Sequence, residues 1–255
     1  MGDVYNAMMR SSNAALLSDP ESADAATESA QWQPVAENAL RLRVQPDAKT
    51  TAQFEQVRIK LLQQAAERRV QVHAFTSSLP GEGRSSCALN LAMSFAMLPN
   101  TRVLLIDMDF DSHRSILEKF DGKVTAGLKD FLNQEVRSLD QIIYPTDISN
   151  LHITPRSCAR GSSESFDSNN KNGVDISGAI SGAVERCRDL YDHIVIDAPA
   201  VLGPGGCAQV SKLSDEILMA VALRKTHAHE LDRAKRVLQG FGCQVTGVVL
   251  TQQRK

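Results

Sequence analysis

The chain has no apolar run long enough to span a membrane. Its longest, IVIDAPAVLG and EILMAVAL, are of strand length and read as buried strands. It has no surplus of either charge: 28 Lys and Arg against 30 Asp and Glu leave a formal net charge of −2, with a pI of about 6.3. That balance argues against nucleic acid as a main partner. Cysteine is sparse. The five (Cys87, Cys158, Cys187, Cys207 and Cys243) include no CxxC pair, which speaks against a disulfide frame or a zinc site and for a reduced cytosolic protein. The six histidines show no metal spacing. The opening residues are polar and mixed in charge, so no signal peptide is expected. Met1-Gly2 is not expected to be a myristoylation start, because Asn6 stands where the pattern wants Ser or Thr. No internal repeat is visible.

What is there divides in two. Residues 1–50 are rich in Ser, Ala and acids, poor in aliphatic clusters, and expected to form a flexible N-terminal arm. Within it Val4, Met8 and Leu16 fall near one helical face, which leaves a short docking helix and a frayed terminus as alternatives. Residues 51–255 are expected to form one domain, where helix and strand patterns alternate. TAQFEQVRIKLLQQAAERR is helix-like; VQVHAFTS reads as a strand, RSSCALNLAMSFAML as a helix and RVLLIDMD as a strand. A short helix (AGLKDFLNQ), a strand (LHITPR) and a helix (GAISGAVERCRDLY) follow. The strands HIVIDAPA and DEILMAVAL, the helix HELDRAKRVLQGF and the strand QVTGVVLTQ close the series. Such alternation with all-apolar strands predicts an α/β fold with a mostly parallel sheet and helices on both faces. Residues 156–176 are rich in Ser, Asn and Gly and are expected to be a surface-lying insertion.

Three elements carry the chemistry. The segment Ser78-Leu79-Pro80-Gly81-Glu82-Gly83-Arg84-Ser85 matches G-x-x-x-x-G-K-[ST], with Ser78 for the first glycine and Arg84 for the lysine. Gly81 and Gly83 let the backbone wrap a phosphate and point N–H groups inward, and the Ser85 hydroxyl suits Mg²⁺. The second element, VLLIDMD, puts Asp107 and Asp109 just past a strand, at the ligand edge of an open α/β sheet. The third, HIVIDAP, is another strand ending in Asp197, an acid suited to hold Mg²⁺ through water. A lone Asp after a strand is more often a cap or turn residue. The three together, in this order, predict a three-layer P-loop NTPase fold.

These motifs resemble the bacterial tyrosine kinase (BY-kinase) family, CpsD/CapB-like P-loop proteins related to the ParA/MinD ATPases. The resemblance runs from about residue 51 to 252. SSLPGEGRSSCALNLA is similar to S-x-x-P-G-E-G-K-S-T…N-L-A, LLIDMDFDSHR to the second motif D-x-D-x-R, and YDHIVIDAPAVL to Y-D-x-V-I-I-D-x-P-P. TAGLKDFLNQEVRSLDQII and the final helix and strand also fit. Leu79 stands where MinD-type proteins carry a signature lysine, as in BY-kinases. The resemblance implies ATP or ADP and Mg²⁺ as ligands, with binding expected to be weakened where the motifs are degenerate. It implies a phosphate cradle of Ser78, Pro80, Gly81, Glu82, Gly83, Arg84, Ser85 and Ser86. Arg84, Asp107 and Asp109 would serve catalysis, and Ser85, Asp107 and Asp197 the metal. It also implies a cytoplasmic place beside the inner membrane, in exopolysaccharide or capsule export. The partner there would be a membrane polysaccharide copolymerase, a Wzz-like chain-length regulator. A homo-oligomer would form through a helix carrying Glu55 and Arg58, although Leu61 stands at the third position of that E-x-x-R-x-x-R motif.

The chain departs from the pattern at linked places. Arg84 is a planar fork where the family has a compact lysine. It can still hold phosphate, but losing one well-placed transition-state donor costs on the order of 3–4 kcal/mol, about 10²–10³ in rate. Asp111 replaces the arginine of D-x-D-x-R, Ala200 the second proline after Asp197, and Thr251 an asparagine near the nucleotide base. The only tyrosines are Tyr5, Tyr144 and Tyr191, with no cluster at the end of the sequence, and Tyr191 is expected to be structural. Three readings stay open: an assembly partner with weak or no kinase activity, an active kinase or ATPase using Arg84, and a ParA/MinD-like positioning ATPase.

Overall fold

The chain enters its structured part with β1 (Arg41–Leu42) and α1 (Ala48–Ala65), followed by β2 (Val72–Ser77) and α2 (Arg84–Ala96). Next come β3 (Val103–Asp107), a 3-10 turn (Ile116–Lys119), β4 (Phe120–Asp121) and α3 (Leu128–Leu132). A second 3-10 turn (Leu139–Gln141), β5 (Tyr144–Pro145), β6 (Leu151–Thr154) and α4 (Ile176–Arg188) lead to β7 (His193–Asp197). The last elements are α5 (Ala208–Leu213), β8 (Glu216–Ala222), α6 (Ala228–Gly240) and β9 (Val245–Thr251). The structure, a computed structural model, describes residues 39–65, 71–110, 112, 114–158, 176–203 and 208–252. All of these belong to one compact unit, Gln33–Lys255.

Among the described residues seven strands form a sheet in the order β5-β6-β3-β7-β2-β8-β9. Every pairing in it is parallel except β5 with β6. β2 and β3 are buried at every position, as expected for parallel strands covered on both faces. One face is covered by α2, whose Leu91, Ala92 and Phe95 join Phe75, Leu105, Val195 and Leu218 in the main core. α1 lies outside α2 and adds Phe54 and Leu61 to that core. On the other side α6 packs Ala234 and Leu238 on Ile217 and Met219 of β8. Burying a side chain such as Phe75 or Phe95 contributes about 2–3 kcal/mol, so the sheet and α2 form a stiff platform.

The helix expected from Thr51 starts at Ala48, where Asp47 caps it by accepting from the Thr50 N–H at 2.7 Å. The expected arm is packed from Leu40 onward: Leu40 is fully buried and β1 pairs antiparallel with β4. This corrects the boundary at residue 50. Two-residue strands give no periodicity to read. Residues 1–38, with Trp32 and Tyr5, lie outside the described residues. Most of the expected 156–176 insertion lies outside them too. Arg156 at its start is a correction, being only 2% exposed. Arg58 points inward as well: its Nη1 donates to the Ser94 carbonyl of α2 and its Nη2 lies 3.4 Å from Glu55. It is spent on helix packing, not held out toward a second copy. Tyr191 is buried, with its hydroxyl 2.8 Å from His152 Nδ1. Tyr144 is also buried, its hydroxyl accepting from the Ala126 N–H at 3.0 Å. Among the described residues no helix is long and apolar enough to cross a membrane.

Candidate functional site

The Gly-rich segment runs from the end of β2 into α2. Gly81 and Gly83 have φ of +76° and +88°, a conformation that side-chain-bearing residues rarely adopt. Gly83 precedes α2 and has no side chain to cap it. The first N–H groups of a helix have no intrahelical acceptor, so the start of this 13-residue helix presents free donors and the positive end of its dipole.

The loop is held from behind. Glu82 is 1% exposed. Its carboxylate accepts from the Leu79 N–H at 3.0 Å and from the Thr226 hydroxyl. Its carbonyl accepts from the Thr251 hydroxyl at 2.7 Å. A Cβ on Gly83 would lie 3.2 Å from the Thr251 methyl. Glu82 therefore fixes the shape of the loop, and its side chain is not in the cradle. Thr251 does the same from β9. Ser78 is fully buried, and its hydroxyl has no partner among the described residues.

Arg84 is the centre of the arrangement. It is 7% exposed, and its guanidinium turns back under the loop. Its Nε donates to Asp197 Oδ1 at 3.1 Å and its Nη2 to Asp109 Oδ2. The strand register explains the meeting: Asp107 and Asp197 are direct neighbours at the ends of β3 and β7. Asp107 is spent elsewhere. Its Oδ2 accepts from the Ser115 hydroxyl at 2.7 Å and from the Ile116 N–H at 3.0 Å, and its Oδ1 from the Asp109 N–H at 3.2 Å. It shapes the turn after β3.

A second cation reaches the cluster. Arg156, just after β6, donates from Nη1 to the Asp109 carbonyl at 2.5 Å. Sequence reasoning placed it in the polar insertion. The only available signal was its position two residues past an apolar strand adjacent to β3. Asp111 and His113 lie outside the described residues. One guanidinium thus joins two carboxylates, and the second holds the Asp109 backbone. Burial raises Asp197 to about 7, against the lowering effect of Arg84, and the Asp107 charge adds to the rise. Asp109 is raised too, by burial first, with Arg84 opposing. Burial, then the Asp197 charge, pushes the Cys87 thiol behind the loop up to about 12, which leaves it inert.

Of the residues expected at a phosphate site, the structure brings together Arg84, Asp109 and Asp197, with Ser85 near enough to Asp197 to favour its charged form. Ser86 lies at the rim, where Lys119 Nζ is 3.3 Å from its hydroxyl. Pro80 and Gly81 are exposed at the tip, and Lys225 Nζ is 3.0 Å from the Gly81 carbonyl. A groove of about 1530 Å³ opens beside the loop, lined by Ser86, Asn90, Lys119, Arg224, Lys225 and Leu250 among others. The glycines, the free helix start and these lysines fit a phosphate chain. The carboxylates as placed do not fit a divalent cation, because each is already bound to an arginine or to neighbouring donors.

A family described as "AAA domain" matches residues 70–236. The chain is 28% identical over 187 residues to the tyrosine-protein kinase CpsD of Streptococcus pneumoniae serotype 4, covering 72% of this chain and 77% of that protein. Among solved structures, the chimerical protein CapA2B2 superposes with a TM-score of 0.69 at 22% identity, over 83% of this chain and 88% of that one. The septum site-determining protein MinD of Pyrococcus horikoshii, solved with Mg-ADP, superposes with a TM-score of 0.55 at 19% identity, over 71% and 69%. At such identities the structural likenesses carry the fold alone.

Proposed function

We propose, from the premise that the chain belongs to the AAA domain family of P-loop proteins, that it is a BY-kinase-like component of exopolysaccharide or capsule synthesis which binds nucleotide and acts by assembly rather than turnover. Similarity to a tyrosine-protein kinase over most of the chain supports the family role. The single observation that carries the loss of turnover is Arg84. A phosphate-binding lysine must reach forward to the transferring group. This guanidinium reaches backward, to Asp109 and Asp197.

The loop residues Gly81, Gly83, Arg84, Ser85 and Ser86 would hold the phosphates with backbone N–H groups and hydroxyls. The groove beside Lys119 and Arg224 has room for the rest of a nucleotide. A bound nucleotide would supply a polyphosphate whose charge the loop neutralises. Asp107 would position the turn after β3, since its oxygens are committed to Ser115, Ile116 and Asp109. Assembly would be with a membrane polysaccharide copolymerase, which would keep the chain at the inner membrane. The helix carrying Glu55 and Arg58 has its arginine buried against α2 and does not favour a ring of identical copies.

Phosphate release from ATP by the purified full chain tests the reading, with Arg84→Lys beside the wild type. The wild type is expected to bind ATP and to release no phosphate above background. Wild-type turnover that disappears in Asp109→Asn would favour an active kinase or ATPase and defeat the proposal.

A further inference from the structure

Arg84 and Arg156 come from different elements, the start of α2 and the end of β6, and converge on one residue. Arg84 binds the Asp109 carboxylate and Arg156 the Asp109 carbonyl. Arg84 also binds Asp197, so one guanidinium joins two acids that end neighbouring strands. That is what a divalent cation does at the carboxyl edge of such a sheet: it bridges acids and offsets their repulsion. Each arginine is more than nine-tenths buried, and each keeps one guanidinium nitrogen without a partner among the described residues: Nη1 of Arg84 and Nη2 of Arg156. Unpaired buried donors of this kind are costly unless an acceptor arrives. Phosphate oxygen is the acceptor that guanidinium pairs with best.

We infer that Arg84 and Arg156 stand in for the divalent metal, so that the site takes a nucleoside polyphosphate free of metal and excludes divalent cations from Asp109 and Asp197. The inference rests on the proposed nucleotide site for its ligand, but its metal half stands on the acids alone. Lys119 and Lys225 at the loop mouth add the charge that a metal-bound nucleotide would otherwise bring.

Two measurements on the full chain separate the halves. The first is Mn²⁺ titration without nucleotide, read from the free-ion electron paramagnetic resonance signal. The wild type is expected to leave the signal unchanged through the millimolar range. Arg84→Gln, which removes the charge and keeps much of the length, is expected to bind about one ion per chain. Should Arg84→Gln not fold, Arg156→Gln serves as the second variant, with weaker binding expected because Arg84 stays in place. Tight Mn²⁺ binding by the wild type would overturn the inference. The second is calorimetric titration of ADP in EDTA and in Mg²⁺. Affinities within about threefold of each other support it, and a gain of about tenfold or more with Mg²⁺ overturns it. If ADP binds in neither buffer, the nucleotide reading fails and the polyphosphate half falls with it, while the Mn²⁺ result still decides the metal half.

Discussion

At the C-terminal ends of β3 and β7, Asp107, Asp109 and Asp197 are buried beside Arg84 and Arg156. At the N-terminal ends of β2, β7 and β8, His73, His193 and Glu216 meet one another instead. His73 Nδ1 lies 3.1 Å from Glu216 Oε2, and its Nε2 lies 3.2 Å from His193 Nδ1. Phe95 of α2 stacks on His193 with ring centres 3.9 Å apart. The upper end balances carboxylates with full opposite charges. The lower end keeps His193 neutral: burial, with the His73 charge beside it, lowers it to about 4. Glu216 Oε1 also lacks a partner among the described residues, so an unpaired buried atom does not by itself mark a site. What distinguishes the upper end is what lies beside it, two left-handed glycines and an uncapped helix start. The lower end is closed by an aromatic ring.

The largest expected effect falls on the upper end. Arg84→Ala leaves Asp109 and Asp197 buried without their shared cation and should cost about 3–5 kcal/mol in urea unfolding at neutral pH. The deficit should shrink as pH falls, because the carboxyls then take protons. A loss under about 1 kcal/mol would show that charge pairing does not hold this end. At the lower end, Glu216→Ala removes the acceptor of His73 and should cost about 1–3 kcal/mol, with Glu216→Gln recovering most of it through the amide oxygen.

The two ends should also respond to pH with opposite sign. His193 is lowered from 6.5 to about 4, so its stabilising contribution is complete above 6.5 and is lost as pH falls toward 4. Asp197 is raised from 3.8 to about 7, so its contribution is complete below 3.8 and is lost as pH rises toward 7. Between those limits the two slopes oppose in the wild type. Denaturation across pH 4–7 should show stability rising with pH in Asp197→Asn and falling with pH in His193→Gln. Parallel slopes in both variants would refute the contrast. The smallest effect is expected at a pair belonging to neither end. Arg43 and Asp121 meet at 2.9 Å with side chains 47% and 63% exposed, and Arg43→Ala should cost under about 1 kcal/mol in the same assay.

Much of the fold was legible because its long strands are mostly apolar and its helices carry a clear period. β1, β4 and β5 have two residues each, too few for any pattern, and pair only because distant segments arrive beside them. The loop and the acids Asp107, Asp109 and Asp197 were legible from spacing. Their partners were not. Nothing in the order of residues says that Arg84 turns under the loop, since a side chain of that length can reach forward or back. Arg156 belongs to the site by way of strand adjacency, 47 positions from Asp109. Glu82 was assigned to the cradle by likeness, but its carboxylate answers to Leu79 and Thr226.

The Thr251 hydroxyl reaches the Glu82 carbonyl across 169 positions of sequence. A ribosome delivers the Gly-rich loop long before it delivers β9. Until β9 has emerged and slotted beside β8, the loop lacks the strut behind Gly83 and Glu82. The anion cradle is thus made well before the strand that braces it, so a nascent chain stalled before β9 would offer its ligand a poorly formed seat.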